Sequence, residues 1–355
     1  MAKQFMKGNE ALGEAAVRAG VRFFAGYPIT PQSELPEYLS WRLGEVGGTF
    51  VQGESEVAAI NMVYGAAATG VLAMTGSSSP GISLKSEGIS YLAACNLPAI
   101  IVNMQRGGPG LGSIQPAQQD YWQATKAAGH GGFKMIVLAP NTVQETVDLM
   151  QIAPDLAYRD RNPVLFLMDG CLGTMYEEVE LPEFRDLPES PCTSWSVGYN
   201  GEQRNGRLLT PILPEAGLEK KNISDWARVK RWEEEDVRVE EYLVEDAEWI
   251  IVSYGISSRV SKECINRLRK EGVKIGMIRP ITLFPFPKKS IDQLDYSRVK
   301  GIIDIEMSIP SQMREDIELQ VARRCPVYEY GRSGGILLDD ETTLENIRKI
   351  IGGEQ

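Results

Sequence analysis

Four short segments hold residues able to do chemistry. The first, Gly26-Tyr27-Pro28-Ile29-Thr30-Pro31, follows an apolar run and carries one hydroxyl between two prolines, which stiffen the loop and restrict where Thr30 can reach. A rigid turn whose Thr30 caps the next helix uses the same residues more plainly. The second, Gln52-Gly53-Glu54-Ser55-Glu56-Val57-Ala58-Ala59, runs from a strand end into a helix of small residues. Carboxylates at helix starts often only complement the helix dipole. Glu56 directly precedes the apolar stretch Val57-Ala58-Ala59-Ile60, where a carboxyl group is partly desolvated and poised for proton work; Glu54 is the competing choice. The third, Thr75-Gly76-Ser77-Ser78-Ser79-Pro80-Gly81, and the fourth, Gln105-Arg106-Gly107-Gly108-Pro109-Gly110-Leu111-Gly112-Ser113, let backbone approach a ligand closely. Arg106 suits a carboxylate because its fork bonds both oxygens, with a structural salt bridge as the alternative. Neither loop carries the P-loop or dinucleotide glycine pattern, which argues against a nucleoside-phosphate site.

The remaining residues narrow the chemistry. With one histidine, His130, no histidine triad or paired-histidine relay can be built, and a structural hydrogen bond in the loop Gly129-His130-Gly131-Gly132 is its expected use. Cys95, Cys171, Cys192, Cys264 and Cys325 are widely scattered and include no CxxC pair, which predicts reduced core thiols rather than a cluster or zinc site of this chain's own. A net charge of −11 over 355 residues argues against nucleic-acid binding. No apolar run reaches the roughly 20 residues a membrane span needs, and the polar first ten residues predict no secretory signal; a cytoplasmic protein without membrane contact is expected.

The four loops need strands to end in them and helices to start from them. Apolar runs bounded by glycine predict strands at 21–25, 49–52, 71–75, 99–104, 134–138 and 164–169. Helical periodicity falls at 9–19, 56–69, 87–95, 118–127 and 143–159. Apolar strands alternating with helices imply a parallel sheet covered on both faces. Residues 181–245, with several prolines and the charged run from Trp226 to Tyr242, read as a linker plus an exposed charged helix. A second α/β unit follows, with strands at 249–255, 273–277, 301–306 and 327–330 and helices at 258–272 and 312–323.

At its four loops the chain resembles the α subunit of the 2-oxoacid:ferredoxin oxidoreductases. The residues that carry the resemblance are Gly26-Tyr27-Pro28-Ile29-Thr30-Pro31, the Glu54-Ser55-Glu56 helix start, Arg106-Gly107-Gly108-Pro109 and, later, Arg279-Pro280-Ile281-Thr282-Leu283-Phe284-Pro285-Phe286. The resemblance implies a thiamine-diphosphate-binding, pyrimidine-type parallel-sheet domain at 1–180 and a transketolase-C-terminal-like α/β domain at 246–355. It implies that Glu56 bonds the aminopyrimidine ring nitrogen, so that the cofactor serves as its own base. Tyr27, Pro28 and Ile29 would line the cofactor, while Thr30 and Arg106 would bind the substrate carboxylate and carbonyl. Glu56 also lies nine residues before Gly65, the spacing of the family's glutamate and helix glycine. The chain lacks a Gly-Asp-Gly segment with a suitably spaced asparagine, so Mg²⁺ and the diphosphate would sit on a β subunit.

By the same resemblance, iron–sulfur clusters would sit on partner subunits, with γ and ferredoxin-like δ chains completing the assembly. The implied reaction is thiamine-dependent oxidative decarboxylation of a 2-oxoacid to an acyl-coenzyme A, with electrons passed to ferredoxin. The segment from Leu111 to Asp120 lacks the Thr-Gly-Leu-Pro-Thr type run of members acting on 2-oxoglutarate, and is similar to that of branched-chain members acting on 2-oxoisovalerate. Alternatives are the same chemistry on 2-oxoglutarate or pyruvate, a dehydrogenase E1-type subunit, and a non-catalytic scaffold.

Overall fold

The computed structural model describes residues 3–126, 128–186, 194–198, 206 and 214–353. Its first part runs β1 (Gln4–Lys7), α1 (Gly8–Arg18), β2 (Phe23–Gly26), α2 (Glu34–Glu45), β3 (Thr49–Gln52), α3 (Glu56–Ala68), β4 (Ala73–Ser77), α4 (Ser79–Ala94) and β5 (Ala99–Gln105). It continues with α5 (Tyr121–Thr125), β6 (Ile136–Leu138), α6 (Val143–Asp160), β7 (Val164–Asp169), α7 (Gly170–Thr174) and β8 (Tyr176–Val179). After α8 (Glu215–Glu235), the second part holds β9 (Val239–Tyr242), β10 (Trp249–Val252), α9 (Gly255–Lys270), β11 (Ile275–Pro280), β12 (Thr282–Phe284) and α10 (Lys288–Asp292). The last elements are β13 (Gly301–Glu306), α11 (Arg314–Val321), β14 (Val327–Gly331) and α12 (Asp340–Gly352).

The larger sheet has strand order β12-β6-β7-β5-β4-β2-β3 and is parallel except for β12. Its central strands β4, β5 and β7 are buried at every residue, as sheets covered on both faces require. The chain passes from β2 outward to β3 and then back across β2 to β4, so the order reverses between β3 and β4. Open α/β sheets offer a crevice at such a point, outside the carboxyl ends of the strands. The smaller sheet runs β14-β13-β10-β11-β9, parallel except for β9. β1 and β8 pair antiparallel as a separate ribbon.

Several elements depart from expectation. The segment at 239–242, assigned to a linker, is strand β9, because Tyr242 to Val239 lie in register with Met277 to Pro280 of β11. The charged helix is exposed on only part of its circumference. Asp225, Val229 and Trp232 recur at i, i+4 and i+7 and form an inward stripe, where the Trp232 indole N–H donates to Asp160 Oδ2 at 2.8 Å. The prolines at 188, 191 and 211, and Cys192, lie outside the described residues. Helix α4 begins at Ser79 rather than near residue 87, since Pro80 suits a first turn and Gly81 continues it. Helices α2 and α12, strand β12 and the β1–β8 ribbon were not anticipated.

The two sheets are joined by a polar seam. Gln118 donates from Nε2 to the Tyr254 carbonyl at 2.8 Å, and its Oε1 accepts from the Met307 amide at 2.9 Å and from the Ser257 hydroxyl. Gln312 answers from the other side, donating to the Gln119 carbonyl and accepting from the Trp122 amide. Gly255, at φ +54°, has to be glycine here: a Cβ would stand 2.8 Å from Gln118 Nε2. Beside it the fully buried Asp169 accepts from the Leu172 and Ile256 amides, and burial pushes its carboxyl up to about 6.

Candidate active site

Glu56 is the first residue of α3, placed by the Ser55 hydroxyl, which caps the helix by accepting from the Ala58 amide at 3.1 Å. The next helix then covers its carboxyl group. Gly81 of α4 lies so close that a Cβ there would be 2.8 Å from Glu56 Oε1 and 2.1 Å from Ser77 Oγ. Glu56 is consequently 7% exposed, whereas Glu54, one residue before the cap, faces solvent. The contrast follows from position, since the capping turn directs one side chain toward α4 and the other away.

Around Glu56 the carboxyl ends of β2 and β4 gather polar groups. Gln32 and Ser78 are fully buried, as is Ser77. Both polar atoms of the Gln32 amide and both serine hydroxyls lack a hydrogen-bond partner among the described residues. Leaving such groups unmet costs about 1–3 kcal/mol each, so folded chains keep them where something else can bond them. Lys85 is buried beneath the same strand end, donating to Thr75 Oγ1 at 2.6 Å and to the Gly76 carbonyl at 2.9 Å.

Arg106 closes the other side. Its Nη1 donates to the Thr30 carbonyl at 3.0 Å and its Nη2 to the Leu111 carbonyl at 2.9 Å, while Nε has no partner among the described residues. The guanidinium therefore ties the Thr30 loop to the glycine-rich loop, and Thr30 itself is exposed. The Arg106 amide is in turn held by Ser79 Oγ at 3.0 Å, and Ser79 donates to Asp120 Oδ2 at 2.5 Å. Asn103 supports both, accepting from the Ser79 amide and donating to Asp120. Burial raises the Asp120 carboxyl above its ordinary value, against the opposing pull of Ser79, Asn103 and Arg106.

The structure thus brings Thr30, Glu56 and Arg106 to one end of one sheet. Ile29 is half-buried, and Tyr27 and Pro28 are exposed. The last two border a groove of about 250 Å³ with Ser33, Pro36, Phe50 and Gln52, whose lining includes neither Glu56 nor Arg106. His130 is exposed in its loop. Lys85, Gln32 and Asp120 were missed as site residues. The signal for Lys85 was legible: Gly81, Lys85 and Gly88 recur at i, i+4 and i+7, a glycine-flanked lysine on one helix face. Asp120 has no such local signal, because its partners lie 17 and 41 residues away.

Residues 14–208 match the family model described as pyruvate flavodoxin/ferredoxin oxidoreductase, thiamine-diphosphate-binding, and residues 247–342 match pyruvate:ferredoxin oxidoreductase core domain II. A ketoisovalerate oxidoreductase subunit VorB of Methanothermobacter marburgensis is 48% identical over 99% of both chains. A 2-oxoglutarate synthase subunit KorA of Methanocaldococcus jannaschii is 32% identical over 95% of this chain and 97% of its own. Among solved structures, the 2-oxoglutarate:ferredoxin oxidoreductase of Magnetococcus marinus, with 2-oxoglutarate, coenzyme A and succinyl-CoA bound, superposes with a TM-score of 0.82 at 25% identity. That match covers 98% of this chain and 65% of the other. A split-gene transketolase, at a TM-score of 0.61 and 14% identity, shares the fold. Its sheets, its strand-end site and these two family matches agree: the chain belongs to the pyruvate flavodoxin/ferredoxin oxidoreductase family of thiamine-diphosphate-binding proteins, as a subunit of a 2-oxoacid:ferredoxin oxidoreductase.

Proposed function

We propose that this chain holds the aminopyrimidine end of thiamine diphosphate for the coenzyme-A-dependent oxidative decarboxylation of a branched-chain 2-oxoacid, with ferredoxin as acceptor. The observation that carries the reading is the covered carboxyl of Glu56, set against Gly81 beside the unpaired Gln32, Ser77 and Ser78 groups. A flat heterocycle with ring nitrogens and an amino group fits such a donor and acceptor set. When bound, the cofactor supplies a nucleophilic carbon and an electron sink.

The chain's own residues then have defined tasks. Glu56 would hold a ring nitrogen of the cofactor and share its proton, in a setting from which α4 excludes water. Tyr27, Pro28 and Ile29 wall the cofactor on the β2 side. Thr30 and Arg106 receive the substrate carboxylate and carbonyl; Arg106 Nε remains free for this after its two carbonyl bonds are made. A β subunit supplies Mg²⁺ and the diphosphate site, and γ and ferredoxin-like δ subunits supply clusters and electron exit. Among the described residues no helix is long and apolar enough to cross a membrane.

The side-chain preference rests on the loop after Arg106. From Gly107 to Ala117 it carries no charged residue, and Leu111 and Ile114 are exposed at 80% and 57%. A second substrate carboxylate needs a cation there, and an aliphatic side chain needs none. The identity of 48% to a ketoisovalerate oxidoreductase subunit points the same way. The test is dye reduction by the assembled complex with coenzyme A across a panel of 2-oxoacids. The expected ranking puts 2-oxoisovalerate first by kcat/KM; a higher value for 2-oxoglutarate or pyruvate overturns the substrate assignment, and no thiamine dependence overturns the function.

A further inference from the structure

Lys85 is a lysine with no exposed surface, placed inside the first unit and absent from the tasks just described. A charged ammonium without water is costly unless something compensates it, and an apolar side chain of similar size would fill the same space more cheaply. Its two bonds, to Thr75 Oγ1 and the Gly76 carbonyl, go to neutral acceptors on β4. Thr75 in turn donates to the Ala25 carbonyl at 2.6 Å, so the lysine also braces the end of β2 from which the Tyr27–Thr30 loop leaves.

The packing of α3 against α4 puts Lys85 one helical turn from Gly81, the residue that meets the Glu56 carboxyl. Gly81, Lys85 and Gly88 share one face of α4. Glu56 and Ile60, four residues apart on α3, face it: Gly81 meets the Glu56 carboxyl, and a Cβ on Gly88 would lie 2.5 Å from Ile60 Cγ2. Two glycines therefore let α3 close against the face of α4 that carries the lysine, with the Glu56 contact one turn before it and the Ile60 contact one turn after. Among the described residues Glu56 is the acid whose charge favours the ammonium, and β4 meets it with a hydroxyl and a carbonyl.

We propose that Lys85 is a positioning residue for the Glu56 contact: its positive charge, clamped between α3 and the end of β4, sets which side of the bond between Glu56 and the cofactor ring holds the proton. Burial lowers the ammonium to about 7 even with Glu56 pulling it up. A cation beside a proton-sharing pair disfavours the extra proton on that pair. Perturbed titration of this kind is what functional sites arrange. The proposal rests on the reading that Glu56 meets the aminopyrimidine.

The test uses the assembled complex loaded with thiamine diphosphate and follows the near-ultraviolet circular dichroism of the bound ring against pH. Lys85→Gln keeps a donor for Thr75 and Gly76 but removes the charge, and Lys85→Met removes both. Each is expected to raise the midpoint of the ring signal by about one pH unit or more. In a Glu56→Gln background the same changes are expected to shift it by less than about a third of that, because the interaction needs its partner. An unmoved midpoint in Lys85→Gln, or an equal shift with and without Glu56, overturns the proposal. So does failure of both variants to assemble, which would make the lysine a folding element. A parent-like ring signal in Glu56→Gln alone overturns instead the assignment of Glu56.

Discussion

The carboxyl ends of β2 and β4 and those of β10 and β13 are built alike, from apolar parallel strands that stop at polar residues, yet they use those residues differently. At the first, Gln32, Ser77 and Ser78 are buried without side-chain partners among the described residues. At the second, the Ser253 hydroxyl donates to the Ile305 carbonyl at 2.6 Å and Tyr254, Ser257 and Met307 are all met by Gln118, while Asp304, Glu306 Oε2 and Ser311 Oγ lack partners among the described residues. Strand topology alone therefore does not mark a binding site. Unpaired buried groups occur at both ends, and the difference is where they lie: at the first they surround Glu56, whereas at the second Asp304, Glu306 and Ser311 lie beside a set consumed in docking one unit on the other.

The sharpest way to break this contrast is to alter one residue on each side and read both activity and stability. Glu56→Gln is expected to lower turnover of the assembled complex by about 10²–10⁴-fold, with no fall in the unfolding midpoint. Glu54→Gln, at an exposed position, is expected to stay within about twofold. Gln118→Ala should do the reverse: it strands the Tyr254 carbonyl, the Met307 amide and the Ser257 hydroxyl, and is expected to cost about 2–4 kcal/mol in denaturant unfolding. A stability loss from Glu56→Gln as large as that from Gln118→Ala would erase the distinction.

Arg106 belongs to both kinds, since it ties two loops and leaves Nε unpaired. Arg106→Ala is expected to depress turnover about 10- to 100-fold, with Arg106→Lys recovering little because the fork is lost. Steady-state rates on 2-oxoisovalerate decide this; activity within twofold of the parent would remove Arg106 from the site.

The smallest effect concerns Asp304 and Glu306, two fully buried carboxyl groups on one face of β13. Burial pushes Asp304 from 3.8 up to about 7 and holds Glu306 well above its ordinary value. Because the folded values are raised, the native state binds more protons than the unfolded chain. The associated stability is complete below about pH 4 and is lost as pH rises through about 7. Asp304→Asn should flatten that decline by about 1–3 kcal/mol between pH 5 and 8. Urea unfolding at the two pH values checks it, and an unchanged slope would mean that the pair does not titrate in this range.

Much of the frame was legible in the chain. β3, β7 and β13 end where their apolar runs end, because glycine or a polar residue interrupts each run. α2 was missed because prolines at 31 and 36 and Gly44 obscure its stripe of Leu35, Leu39 and Leu43, which is nonetheless spaced at i, i+4 and i+8. The family resemblance favours Glu56 over Glu54 by its spacing to Gly65; the burial of Glu56 beneath Gly81, set by the capping turn, is what the chain alone does not show. The seam was beyond reach of any local pattern, since Gln118 finds Met307 across 189 residues of chain. Lys85 was overlooked because its helix was expected to start after it; a charged residue flanked by helical glycines signals a buried site once the helix is extended back to Ser79.

Hydrogen–deuterium exchange at the reactive thiazolium carbon of thiamine diphosphate bound to the assembled complex needs neither substrate nor ferredoxin, and so reads the Glu56 contact by itself. Slowing by about 100-fold or more in Glu56→Gln, with Glu54→Gln exchanging like the parent, is the predicted result. Equal exchange rates in the parent and Glu56→Gln would contradict it.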